Sequence, residues 1–261
     1  MLTHSVIVAV SLLASLSVER SPDVPLSEYR ETTIGTFKVL FHPEANSDAM
    51  RYRRVLAALA FDVELISSRV PADALTALHE VRLVVTPSTT ARKGLSGRGM
   101  CYHESAGWLV ANGFDAAREG TVEILNMDDF LAWRAEQPMM LLHELAHAYH
   151  AMLGFDHPEV VTAYNAAKKA GTYDAVRYVL APDGETRQAY ARTNVREYFA
   201  ELTEAWFGRN DYAPFTREEL VEVDPAGASM IERVWSLSAD EIEAARTRRK
   251  PAPAPVSPPP G

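Results

Sequence analysis

Residues 138–154, PMMLLHELAHAYHAMLG, constrain this chain more than any other stretch. Pro138 suits the first turn of a helix and Gly154 its C-terminal end, so the run predicts a helix of about four turns. Leu141, Leu142, Leu145 and Ala146 make it apolar on most sides, and such a helix is buried. It nevertheless carries His143, Glu144 and His147. Burying two imidazoles and a carboxylate on one helix is costly unless a strong partner meets them. The rest of the chain must bring that partner.

With 3.6 residues per turn, His143 and His147 lie on one face and their rings can converge on one ion. Glu144 is rotated by about 100° from His143, which places it beside such an ion. That is where a general base for an activated water belongs. A catalytic zinc takes three protein ligands and keeps a fourth position open, so a third ligand is expected elsewhere. The metzincin extension needs Gly at 150 and His at 153; the chain has His150 and Leu153, which excludes it. His150 reads as a helix-surface residue, and His157 stands before Pro158 without a motif around it. Asp174, in GTYDAVRY from Gly171, resembles the Gly-Thr-x-Asp-x-x-Tyr stretch of the aspzincins, with the tyrosine one residue late. Cys101 and His103 resemble a ligand pair but read more simply as a strand with alternating faces.

The strongest candidate lies in residues 194–207, NVREYFAELTEAWF, a helix capped by Thr193 or Asn194 and ended by Gly208. Val195, Phe199, Leu202 and Trp206 form its apolar stripe, and Glu197, Glu201 and Glu204 form a second stripe. Carboxylates four apart repel, so the acidic stripe asks for a cation nearby. One zinc ion bound by Glu197, with Glu201 accepting a hydrogen bond from the His143 ring, would answer it. Asn194-x-x-Glu197 also reads as a capping box, which needs no metal.

HELAH, then Tyr190, then Asn194-x-x-Glu197-Tyr198-Phe199-Ala200-Glu201 resembles the gluzincin peptidases of the anthrax lethal-factor type and the related titration-factor peptidases. Those enzymes take a Glu ligand from a Glu-(Phe/Tyr)-Phe-Ala helix and place a tyrosine seven residues before it; Tyr190 stands seven before Glu197. The resemblance covers residues 138–206. It implies a zincin-like fold, one Zn2+ ion held by His143, His147 and Glu197, Glu144 as base and Tyr190 as donor to the transition state. The implied reaction is hydrolysis of a peptide or protein substrate. Residues 121–125, TVEIL, are the candidate edge strand for that substrate, a placement resting on fold analogy.

Elsewhere the chain is ordinary. Of its 261 residues 47% are apolar, and 26 Lys and Arg against 35 Asp and Glu leave a net charge of −9, which argues against a nucleic-acid partner. The lone Cys101 excludes an intrachain disulfide and a thiolate-built zinc site. Strand patterns are expected at 35–41, 81–86, 100–103, 107–110 and 121–125, helices at 48–66 and 71–78, and mainly helix from Met127 onward. The expected class is therefore α+β, with a small mixed sheet and helices in the first half and a mainly helical second half.

Residues 1–17 hold no charged side chain and resemble a signal peptide, so a secreted or periplasmic location is expected. Their apolar run is too short for a membrane span. Residues 18–245 are expected to form a single domain, and 246–261 a Pro-rich disordered tail. Two readings rival the peptidase: an exported zinc-containing binding or scaffold protein whose site is not catalytic, and an aspzincin-type peptidase with Asp174 as third ligand.

Overall fold

The computed structural model describes residues 24–89 and 95–248, so the signal-like segment 1–17 and residues 249–261 lie outside the described part. Five strands form one mixed sheet: β1 (Arg30–Ile34), β2 (Phe37–Phe41), β3 (Leu83–Val85), β4 (Met100–Tyr102) and β5 (Val122–Ile124), in the order β1-β2-β3-β5-β4. The first-half helices are α1 (Ala49–Arg69), α2 (Ala72–Leu78) and α3 (Ala106–Ala111). The second half is helical: α4 (Met127–Trp133), α5 (Met140–Leu153), α6 (Pro158–Ala170), α7 (Val195–Phe207), α8 (Arg217–Val223), α9 (Pro225–Trp235) and α10 (Ala239–Arg248). This is an α+β fold with its sheet in the first half. Among the described residues no helix is long and apolar enough to cross a membrane.

The sheet opens with a hairpin that the apolar pattern conceals. Four of the five β1 residues are exposed, so the strand carries no alternation to read. Ile34 pairs with Phe37 across a two-residue loop, and Gly35 takes φ +58, as the first central residue of a tight hairpin turn requires. β2, β3 and β5 then run parallel, and β4 returns antiparallel to β5. Segment 121–125, expected at the sheet edge, instead supplies an interior strand: β5 lies between β3 and β4 and all three of its residues are buried. The edges are β1 and β4, and β4 packs against α5.

Residues 107–110, expected as a strand, lie in α3. Local capping decides this: the Ser105 side chain accepts from the Trp108 backbone N–H at 3.2 Å, and Gly113 supplies a positive φ just past the helix. The last helix, α10, extends to Arg248, three residues into the segment expected to be tail, and Arg246 is anchored to Glu80 at 3.0 Å.

One face of the sheet, with Val39, Phe41, Leu83, Val85, Val122 and Ile124, joins the main core, which includes residues from Ile34 to Ala245. The other face presents Leu40 and Val84 to Leu26 and Tyr29 in a smaller cluster. Glu123 continues that second row, in register with Val84 and Cys101. It is 1% exposed and survives burial because Arg118 Nη1 and His103 Nε2 each lie 2.7 Å from its oxygens, with Thr86 donating as well.

Trp235 of α9 ties together the two helices that matter most for the site. Its ring stacks on Tyr149 of α5 at 4.4 Å and on Phe199 of α7 at 5.9 Å, and its indole N–H donates to Thr203 of α7 at 3.0 Å. Tyr149 returns a hydrogen bond to the Val234 carbonyl at 3.0 Å. A fully buried indole contributes through both area and directed contact. Trp235→Ala is expected to cost roughly 3–5 kcal/mol of folding stability in urea denaturation, and a loss below about 1 kcal/mol would contradict this role.

Candidate metal centre

α5 is apolar almost all round and buried, so His143 and His147 are delivered on a rigid element. Their rings stand edge to face with centroids 4.8 Å apart. α7 begins at Asn194, whose side-chain oxygen accepts from the backbone N–H groups of Arg196 and Glu197 at 2.8 and 3.1 Å. Asn194 therefore caps the helix, yet Glu197 does not spend its carboxylate on a reciprocal cap. Glu197 Oε2 lies 3.2 Å from His143 Nε2 and 3.2 Å from His147 Nε2.

Those separations can be tested against an ion. Donors about 2.0–2.1 Å from a tetrahedral zinc are about 3.3 Å from one another. The three side chains offer ligand atoms that all lie within 4.8 Å of each other, and the two measured Nε2–Oε2 distances sit close to the tetrahedral value. The chain thus contains a buried His/Glu cluster able to coordinate a divalent cation such as zinc.

What holds the His143 ring differs from the sequence expectation. Glu201, expected to accept from it, has Oε1 3.8 Å from Nδ1, beyond a hydrogen bond, whereas Glu204 Oε1 is 2.7 Å away. One further turn along α7 is what the depth of α5 requires. Glu204 also accepts from Gln137 Nε2 at 3.0 Å, so the residue just before Pro138 joins the support. With Nδ1–H directed at Glu204, Nε2 is the nitrogen that faces Glu197 and would be the one to ligate an ion between them. Burial depresses the His143 pKa, but the hydrogen bonds with Glu197 and Glu204 outweigh it and raise it well above the usual imidazole range. Burial raises the Glu197 pKa, and the contacts with His143 and His147 overcome that and hold its carboxyl well below the usual range.

Glu144 points to the sheet: its Oε2 accepts from the Tyr102 backbone N–H of β4 at 2.7 Å. Tyr190, in a single 3-10 turn (Tyr190–Arg192) leading into α7, stacks over His143 with centroids 6.2 Å apart. Burial and the nearby Glu197 push its phenol pKa up to about 12, so the hydroxyl keeps its proton. His143, Glu144, His147, Tyr190, Glu197 and Glu201 all line one cavity of about 440 Å³.

The other candidates lie apart. Asp174 is half exposed and pairs with Arg192 at 2.6 Å, outside both donor clusters. Cys101 approaches His103 Nε2 at 3.6 Å, and that ring serves Glu123. His150, expected on the surface, is fully buried between Phe155 and Phe199 with no hydrogen-bond partner on either ring nitrogen. Burial pulls its pKa down to about 3. Three participants were not foreseen. Glu204 was visible as part of the acidic stripe. Gln137 and the Tyr102 N–H carry no sequence signal, because a long-range contact and a backbone donor leave none. Searched against family models, curated proteins and solved structures, the chain finds no match.

Two outcomes are expected. Zinc competition titration should show one ion per chain, near-complete loss of uptake in His147→Ala, and a 10–100-fold weaker affinity in Glu204→Gln; equal affinity in all three proteins would refute the centre. His150 has a folded-state pKa of about 3, below its unfolded value of about 6.5, so the unfolded chain takes the proton first and stability falls as pH drops from about 6.5 toward 3. His150→Leu should therefore gain about 1–3 kcal/mol at pH 7, with the margin over the parent widening below pH 6.5. Urea melts across pH read this directly.

Proposed function

We propose that the chain is a zinc-dependent peptidase of the gluzincin type on a zincin-like fold. The observation that carries this reading is the convergence of Glu197 Oε2 on both imidazole Nε2 atoms at 3.2 Å. A capped helix N-terminus gives no reason for that convergence. Asn194 already satisfies the backbone there, which leaves Glu197 available as a ligand.

His143, His147 and Glu197 would hold the ion. Bound zinc supplies a Lewis acid that polarises a carbonyl and brings the pKa of water toward about 7. The residues of the chain do the rest. Glu144 lies one position round the helix from His143 and lines the same cavity, so it takes a proton from the attacking water and returns it to the leaving amine. The Tyr102 N–H holds that carboxylate in place. Tyr190, protonated across the neutral range, donates a hydrogen bond to the oxygen that gains charge in the transition state. Glu204 and Gln137 keep the His143 ring in one tautomer and one orientation.

β4 ends the sheet on the side of α5, and Met100, Cys101 and Tyr102 line the cavity. An extended peptide added along β4 would present its main chain to Glu144. The signal-like composition of residues 1–17 supports a secreted or periplasmic setting for this activity.

The decisive variant is Glu144→Gln, assayed on a peptide library with and without chelator. Turnover should fall by roughly 10²–10⁴-fold while zinc content stays at one ion per chain. A zinc-loaded parent protein that cleaves no peptide, or a variant that cleaves as fast as its parent, would favour the zinc-containing binding or scaffold protein instead.

A further inference from the structure

Three consecutive residues join the edge of the sheet to the centre. Tyr102 gives its backbone N–H to Glu144 at 2.7 Å, and Glu104 pairs with Arg196, the residue before Glu197 on α7. Between them the His103 side chain turns the other way, with Nε2 2.7 Å from Glu123 Oε2. That imidazole is buried and takes no part in the chemistry described above.

The register of β4 is weakly specified by the strand itself. It is three residues long and sits at the edge of the sheet, and Met100, Cys101 and Tyr102 are all half-buried, so no alternation of burial selects one pairing. Cys101 lies opposite Glu123, the His103 N–H donates to the Thr121 carbonyl at 2.9 Å, and the Gly120 N–H donates to the His103 carbonyl at 2.7 Å. Cys101 and His103 therefore direct their backbone groups to β5. The alternation of an antiparallel ladder then directs the Tyr102 N–H outward, where Glu144 meets it. A slip of one residue would reverse every side chain of β4 and turn a different backbone group toward the base.

What opposes the slip is buried charge. The Glu123 carboxylate is met by Arg118 Nη1 at 2.7 Å, by the Thr86 hydroxyl and by His103. Arg118 is held in turn by the Tyr29 hydroxyl at 2.8 Å, which lies 3.1 Å from Thr86 Oγ1. Burial raises the Glu123 pKa, and the contacts with His103, Arg118 and Thr86 outweigh it and hold the carboxyl below its usual range. Thr86 directly follows β3 and Arg118 closes the turn (Ala116–Arg118) before β5, so His103 is the partner that belongs to the β4 segment. Withdrawing it leaves a buried charge short of a donor, which penalises any other register.

We propose that His103 is a positioning residue: its imidazole, held on Glu123, sets the register of β4 and so brings the Tyr102 N–H to Glu144. The proposal rests on the peptidase reading for its effect on turnover, but its effect on the Tyr102 amide can be measured without turnover.

The test compares His103→Gln, His103→Asn and His103→Leu in the zinc-loaded, full-length protein. Glutamine carries an N–H at the reach of Nε2, asparagine stops one methylene short, and leucine has no donor. Hydrogen exchange at the Tyr102 amide, followed by NMR, should speed up about tenfold or more in the Asn and Leu variants and return to within about threefold of the parent in His103→Gln. On a cleaved peptide, kcat should fall about 10–100-fold in the same two variants and recover in His103→Gln, with KM changed less than about threefold. Zinc should stay at one ion per chain throughout. A role confined to stability would lower the urea midpoint and leave exchange at Tyr102 and kcat of the folded protein at parent values. Should His103→Leu fail to fold, the polar His103→Asn carries the same comparison. Parent-like Tyr102 exchange and kcat in a folded, zinc-loaded His103→Asn protein would overturn the proposal, as would His103→Gln behaving no better than His103→Asn. Faster Tyr102 exchange in a protein whose parent cleaves no peptide would support the register role while refuting the peptidase; normal cleavage with unchanged exchange would do the reverse.

Discussion

Everything at the centre depends on one imidazole being held at both of its nitrogens by carboxylates from one neighbouring helix. Glu204 meets His143 Nδ1 at 2.7 Å and Glu197 meets Nε2 at 3.2 Å. The two acids are seven residues apart, close to two full turns, so they project from the same face of α7. A ring gripped in this way cannot rotate, and its two nitrogens acquire different duties. It also accounts for how an apolar, buried helix can carry titratable groups at all: the cost of dehydrating them is offset by charge-assisted hydrogen bonds across one interface.

That interface is as much an apolar construction as a polar one. Trp235, Tyr149 and Phe199 stack in the layer behind the site, and the hydrogen bonds of Trp235 and Tyr149 set the depth at which α7 meets α5. Depth is what selects Glu204 over Glu201. A shift of a turn along α7 would exchange the two carboxylates, and close packing on an indole resists shifts of that size. The sheet contributes from the other side: β4 supplies the backbone N–H that holds Glu144. Base, ring and carboxylate therefore come from two helices, while the donor that positions the base comes from a strand.

The two faces of the sheet handle buried charge differently. Beneath Leu40 and Val84, Glu123 is enclosed by Arg118, His103 and Thr86, so the acid is satisfied internally. Beside α5 and α7, Glu201 accepts from Asn210 at 3.1 Å, and burial with neighbouring Glu204 pushes the Asp211 pKa up to about 7. An acid whose charge is balanced by its own protein is an element of the fold.

The linear pattern was most legible where function and local geometry share a period. His143 and His147 four apart, Asn194 as a cap and the Glu197-Glu201-Glu204 stripe follow from helical spacing, and the α+β division follows from where apolar runs change period. The exposed β1 and the short α3 were missed for a local reason: one lacks an apolar face, and the other is decided by a serine cap. Which strand forms the sheet edge, which carboxylate reaches His143, and that His150 is enclosed by two phenylalanines depend on contacts between residues distant in the chain. Spacing along a helix is an intrinsic property of the backbone and can be counted off in the chain. The depth of one helix against another is set by the joint packing of side chains from α5, α7 and α9, and no single segment contains it.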